Sequence, residues 1–277
     1  MNGTLHTDRL PLKGSLTLYK VLSLIIAALM VAACLVGMFL QDMAYPTQEL
    51  LDSFLPTDVA VLFIGVPMML ASLWLVHRGR LVGLLLWPGA LVFVLYNYLT
   101  YVLAMPLNIA FLLHLALFLL SVYTLPGLLT AIDHQAVLDI LADAVPARLS
   151  GGIVAVMGLL FFLRAFIGLI ASVAGSTSMP GTEIALNATD ALISPAWVVC
   201  GVMLWRRKPF GTVCGLGILF QASMLFIGLI ILLFLQPTLT GAPLAVTDIV
   251  VVFVMGLISF IPFGLYIRGV VQRERQA

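Results

Sequence analysis

Charge is what this chain has least of. Asp, Glu, Lys and Arg together make 9% of its 277 residues, whereas 62% are hydrophobic and the mean hydropathy is +1.18. A soluble domain carries about 25% charged residues, so a soluble globular fold is excluded and the bilayer is the natural solvent. The net charge is +1, which points to neither nucleic acid nor an acidic partner. Cysteine is nearly as scarce. Cys34, Cys200 and Cys214 form no Cys-x-x-Cys pair, and facing a reducing cytoplasm they read as small buried apolar groups rather than disulfide partners.

Catalytic signatures are missing as well. There is no His-Glu-x-x-His, no phosphate-binding glycine loop and no Gly-x-Ser-x-Gly. His6, His77, His114 and His134 are scattered, and no paired carboxylate falls in the apolar layer. No catalytic residue, metal ligand set or cofactor is therefore expected.

What the chain does have is long apolar runs. A membrane helix needs about 20 mostly apolar residues, and eight runs qualify: roughly 21–40, 58–76, 81–104, 107–131, 150–175, 189–205, 210–236 and 247–268. They are continuous rather than alternating, which excludes a β-barrel. The fold class is an all-α membrane protein of eight transmembrane helices. With the N-terminus inside, twelve of the thirteen basic residues (Arg9, Lys13, Lys20, Arg78, Arg80, Arg148, Arg206, Arg207, Lys208, Arg268, Arg273, Arg275) fall on inner segments. That predicts both termini inside, in a bacterial inner membrane. Asp42, Glu49, Asp52, Asp58, Glu183, Asp190 and Asp248 fall at outer loops or helix mouths. Val31-Ala32-Ala33-Cys34 has the form of a lipoprotein cleavage box, but the apolar run continues to Leu40, which reads as a retained helix.

The chain also repeats itself. A shift of 128 pairs Arg78 with Arg206, Arg80 with Lys208, Gly83 with Gly211, Gly89 with Gly217 and Pro67 with Pro195. This predicts two parallel four-helix repeats: 1–131, an inner-surface linker over 132–149, and 150–277. Within the linker, Val137, Ile140, Leu141 and Ala144 share one helical face, so it reads as a short surface helix or a solvated connector. Asn187-Ala188-Thr189 is a glycosylation sequon in an expected outer loop. Gly79/Gly83 and Gly211/Gly215 are glycine pairs four apart, suited to helix packing within each half or to a homodimer face. The four tryptophans fall toward helix ends, where interfacial anchoring explains them.

The stretches SFLPTDVAVLFIGVPMMLASLWLVHRGRLVGLLLWPG, VLYNYL and VMLWRRKPFG together resemble uncharacterised bacterial multi-pass membrane proteins. The resemblance implies an integral membrane protein and no activity.

One basic residue is left over. Arg164 lies inside the uncharged run from Ile153 to Ala174. A charge at mid-bilayer costs from about 2.5 to over 10 kcal/mol, and such residues face a bundle interior or a cavity. No carboxylate is expected at its depth. The polar residues that share the apolar layer are Gln221, Asn97, Tyr98 and His114. Arg164 with these four forms the candidate ligand-binding wall, with Arg164 supplying charge and the others orientation. Each has a plainer reading. Arg164 serves equally as a clamp on helix carbonyls, Asn97 as an interhelical hydrogen-bonding group, and His114 as a satisfied core or lipid-facing histidine. The leading expectation is binding or transport of a small molecule, anionic group or lipid at an Arg-containing site. A non-catalytic accessory or structural membrane subunit, with a membrane-protein partner, is the alternative. An intramembrane enzyme comes third.

Overall fold

The computed structural model describes residues 10–175, 177–240, 244 and 246–276; Arg9 and His6 lie outside them. Among the described residues eight helices are long and apolar enough to cross a membrane: α1 Thr17–Phe39, α2 Gln48–His77, α3 Leu81–Ala104, α4 Ile109–Ala131, α5 Ala147–Val173, α6 Gly181–Trp205, α7 Pro209–Thr240 and α8 Val246–Gln276. Two short helices, Gln41–Ala44 and His134–Leu141, lie in connections. Among the described residues there is no strand beyond an isolated bridge between Leu12 and Ile132. Backbone groups in lipid must be satisfied internally, and helices do this within each segment.

Two helices start eight or more residues earlier than their apolar runs. Expected from 58, α2 begins at Gln48; expected from 189, α6 begins at Gly181. The cause is capping of polar turns that hydropathy does not count. Thr47 Oγ1 accepts from Leu50 N at 3.4 Å at the start of α2. Glu49 Oε1 then accepts from Thr182 N at 2.8 Å and Thr182 Oγ1 at 2.9 Å, so α2 caps α6. Asp58 and Asp190, expected at helix mouths, therefore lie inside helices and are 1% and 7% exposed. The sequon asparagine, Asn187, is 3% exposed within α6, so it is a packing residue rather than a loop acceptor. In α2 the residues Val61–Gly65 form a π turn just ahead of Pro67. Proline has no N–H and crowds the carbonyl four residues earlier, and an inserted residue relieves both.

The central helix is α3, buried on nearly every side from Leu81 to Tyr101. It meets α7 at two glycines, where a Cβ on Gly217 would stand 3.0 Å from Gly89 N. Two tryptophans expected at membrane interfaces are inside instead. Trp87 donates to Ser23 Oγ at 2.9 Å and Trp197 to Gln221 Oε1 at 2.8 Å, which satisfies each indole N–H away from water. Trp74 and Trp205 are exposed near helix ends, and Arg78 lies over the Trp74 ring at 5.1 Å.

One end of the bundle gathers the basic residues. Arg80 pairs with Glu274 at 2.8 Å, and Glu274 also accepts from Val82 N at 2.9 Å, tying the start of α3 to the end of α8. Arg207 pairs with Asp143 at 2.9 Å, and Arg273 Nε donates to Ile140 O at 3.1 Å, tying α8 to the linker. The linker helix His134–Leu141 buries Val137 and Leu141 but leaves Ile140 exposed, so its apolar face is narrower than expected. The turns after α2 and α6 share one hydrogen-bond pattern. Gly79 N donates to Val76 O at 3.0 Å and Arg80 N to Leu75 O at 2.9 Å; Arg207 N donates to Leu204 O at 2.8 Å and Lys208 N to Met203 O at 2.8 Å. Both are Schellman endings, with positive φ at Gly79 (72°) and at Arg207 (53°). Gly79 is thus a turn residue with nothing beside it, while Gly83, Gly211 and Gly215 pack within their own hairpins.

Glycines also set the register of α5 on α6. A Cβ on Gly151 would fall 2.6 Å from Gly201 O, and one on Gly158 would fall 2.8 Å from Trp197 Cβ and 3.0 Å from Ser194 O. Farther along, Gly168 faces Asn187. Each step forward on α5 matches a step back on α6, so Arg164 comes opposite Asp190.

Candidate functional site

That register corrects the expectation that no carboxylate reaches the depth of Arg164. At ~1.5 Å per residue, counted from Ala147 and Trp205, Arg164 and Asp190 both lie about 22–26 Å from the basic end. They line one cavity of about 490 Å³ between α2, α3, α5, α6 and α7, in the half of the bundle far from the basic turns. This is within the ~300–1,000 Å³ typical of small-molecule sites. The floor is apolar and aromatic, with Phe93, Phe161, Trp197 and Phe226. Polar groups include Tyr96, Asn97, Thr100 and Tyr101 of α3, Asp190 and Ser194 of α6, and Ser53 and Thr57 of α2. Asp52 and Glu183 line the far end.

Asp190 accepts from Tyr96 Oη at 2.7 Å. One helical turn farther along α3, Thr100 Oγ1 donates to Thr189 Oγ1 at 3.0 Å. These two bonds hold α3 to α6 beside the cavity. Arg164 is close enough for its charge to act on Asp190 and Tyr96. Yet it forms no hydrogen bond or ion pair among the described residues, and its side chain is exposed. A guanidinium has five donors, and here they are uncommitted. The clamp reading, which needs those donors on helix carbonyls, finds no such contact.

The five sequence-predicted site residues separate into three places. Arg164 and Asn97 line the cavity. Asn97 Nδ2 donates to Phe93 O at 2.8 Å in its own helix, so it is not the interhelical bond expected of it. Gln221 lies behind the wall, fully buried, with Oε1 held by Trp197 and Nε2 without a partner among the described residues. Tyr98 and His114 are elsewhere. They belong to a buried cluster between α1, α3 and α4, where the His114 ring lies 5.7 Å from Tyr98 and 4.5 Å from Tyr101. His114 is 2% exposed and its Nδ1 has no partner among the described residues.

Beside that cluster stands Asp58, whose two oxygens are both engaged. Tyr101 Oη donates to Oδ1 at 2.8 Å, and Tyr45 donates to Oδ2. Tyr101 also lines the cavity, so one phenol links the cavity wall to a buried carboxylate. Sequence reasoning missed Asp190 and Asp58 as wall or support residues, because it put both at helix mouths, and it left Tyr96 and Thr100 out of the candidate wall. A signal was present. Small residues recur every seventh position at Gly151, Gly158 and Ala165, and again at Asn187, Ser194 and Gly201. Such stripes let two helix backbones approach, and the register that the structure adopts brings Arg164 opposite Asp190. Among the described residues no three His, Cys, Asp or Glu side chains converge as a metal site would need. No protein family, curated protein or solved structure matches the chain.

Proposed function

We propose that this integral membrane protein binds or transports a small amphipathic molecule that carries both charges, a zwitterionic head on an apolar body. The observation that carries the reading is a cation and a carboxylate, Arg164 and Asp190, lining one largely apolar cavity without pairing to each other. An anion alone would meet Asp190, Asp52 and Glu183 as well as the arginine, and like charge at short range is repulsive. A zwitterion satisfies both signs. The apolar floor suits its body.

The proposed duplication supports this reading. Residues 128 apart on α3 and α7 line the same cavity: Tyr96 and Met224, Asn97 and Leu225, Thr100 and Gly228, Tyr101 and Leu229. The π turn adds one residue to α2, and beyond it the offset from α2 to α6 becomes 129. Ser53 and Thr182, Thr57 and Leu186, and Val61 and Asp190 then correspond, and all line the cavity. Transporters built from repeats hold substrate at the repeat interface. The cavity is lined by helices of both proposed halves, and Tyr96, Asn97, Tyr101 and Asp190 have apolar counterparts in Met224, Leu225, Leu229 and Val61.

The test is thermal unfolding of detergent-purified protein with three probes: an acylcarnitine (zwitterion), a fatty acid (anion) and an alkylamine (cation). A ligand at 100 times its Kd stabilises the fold by about 2.7 kcal/mol. The acylcarnitine should raise Tm in wild type, and Arg164→Met and Asp190→Asn should each lose most of that rise. Arg164→Met alone should unfold at or above the wild-type temperature, since no partner is stranded. Equal stabilisation by the fatty acid, or no dependence on Asp190, would overturn the zwitterion.

A second reading, the accessory subunit, rests on the exposure of Arg164. An exposed cation at the edge of the cavity can also meet a carboxylate on a partner helix. Stoichiometric co-purification of a membrane protein from wild type, lost in Arg164→Met, would favour it.

A further inference from the structure

A second hollow lies on a different face of the molecule. It is a cleft of about 440 Å³, walled by Leu125 and Leu129 of α4 and by Ala196 and Val199 of α6. Its floor is the Gly89–Gly217 contact between α3 and α7. Two glycines facing each other leave no side chain to fill the space above them, and α4 and α6 do not pack together along their length. Pro195, Ala196 and Val199 on the α6 rim are exposed, so the cleft opens sideways toward the lipid. The lining residues are apolar throughout, two thiols included. Ile193 lines this cleft and the cavity described above, and so forms part of the partition between them.

The cleft is directional. At the basic end it reaches Phe210, whose ring meets His134 edge-on at 5.5 Å. Arg206 and Lys208 stand in the turn immediately before Phe210, both exposed and without an ion pair among the described residues. Arg206 follows Val199 by seven residues, two helical turns, and so continues the same stripe of α6. Arg207, between them, is already paired with Asp143.

We propose that the cleft between α4 and α6 holds an acyl chain of an anionic phospholipid, with its phosphate at Arg206 and Lys208. An acyl chain fits because it is flexible, apolar and supplied by the surrounding bilayer. The headgroup is assigned by charge: two uncommitted cations at the head of an apolar slot favour an anionic lipid over a zwitterionic one.

The test has two arms on the full-length protein. Native mass spectrometry should show phosphatidylglycerol retained well above phosphatidylcholine of the same chain length. Arg206→Gln and Lys208→Gln should each lower that retention about fivefold. Val199→Trp, or the milder Ala196→Leu, should lower retention of both lipids by filling the slot, with an unchanged gel-filtration profile as the folding check. The second arm needs no variant. Phosphatidylglycerol with a diazirine in its acyl chain should label wild type within 125–129 and 196–199. Equal retention of the two lipids, glycerol phosphate competing as well as the whole lipid, or labels scattered over all eight helices would each overturn the assignment.

Discussion

Asp58 is a carboxylate that hydropathy places at a surface and packing places among phenols. Its support is Tyr45 and Tyr101, one from the α1–α2 connection and one from α3. Removing an acceptor leaves buried donors without partners, at about 1–3 kcal/mol each. Asp58→Leu should therefore lower thermal stability by that amount for Tyr45, and by less for Tyr101, whose hydroxyl also reaches Phe54 O at 3.4 Å. The triple variant Asp58→Leu, Tyr45→Phe, Tyr101→Phe should recover most of the loss, because matched apolar replacement of both partners is nearly neutral. If Asp58→Leu unfolds with the wild type, the two phenol bonds carry no stability. Arg164 behaves in the opposite way: among the described residues no hydrogen bond or ion pair depends on its donors.

At the scale of the element, the α5–α6 pair shows how small residues locate function. Gly151, Gly158 and Gly201 let the two backbones approach, and the register they set brings Arg164 to Asp190. Gly152 is the built-in control, since a Cβ there would meet nothing within 4 Å. Gly151→Leu should destabilise by about 1–3 kcal/mol through overpacking and should abolish zwitterion-induced stabilisation, because the opposite wall moves away. Gly152→Leu should stay within about 0.5 kcal/mol of wild type and keep the ligand response. Equal effects from the two variants would mean that the register does not depend on this contact. All eight helices were legible from apolar runs, but the starts of α2 and α6 were not. Hydropathy detects lipid-compatible length, whereas a helix continues as far as its first-turn donors find caps, and here those caps are Thr47 and Glu49.

For the whole molecule, the basic turns, the linker and the end of α8 meet at one end through Arg80–Glu274, Arg207–Asp143 and Arg273. The proposed orientation puts that end inside. The native cysteines are all buried, so introduced ones can report sidedness. Leu107→Cys and Ser178→Cys, at exposed positions on the opposite end, should react with an impermeant maleimide in intact cells, and Arg206→Cys only after permeabilisation. The reverse pattern would invert the topology. The candidate site was half legible at this scale. Arg164 stands out as a lone charge in an apolar run, and Asn97, grouped with it, lines the same cavity. Tyr98 and His114 were not, because the helix periodicity of α3 separates the face bearing Asn97 from the one bearing Tyr98, and no single-helix pattern says which face meets which neighbour.

The sequence by itself determined the class of molecule and its segments, since the cost of exposing backbone or charge to lipid is local and additive along the chain. It also marked the residue that violates that rule. Only the tertiary structure decided which groups share a cavity with Arg164, that Asp58 and Asp190 are inside the bundle, and that an apolar cleft lies over the two facing glycines. Those facts depend on the register between helices distant in sequence, and register follows from the shapes of facing surfaces rather than from the hydropathy of either.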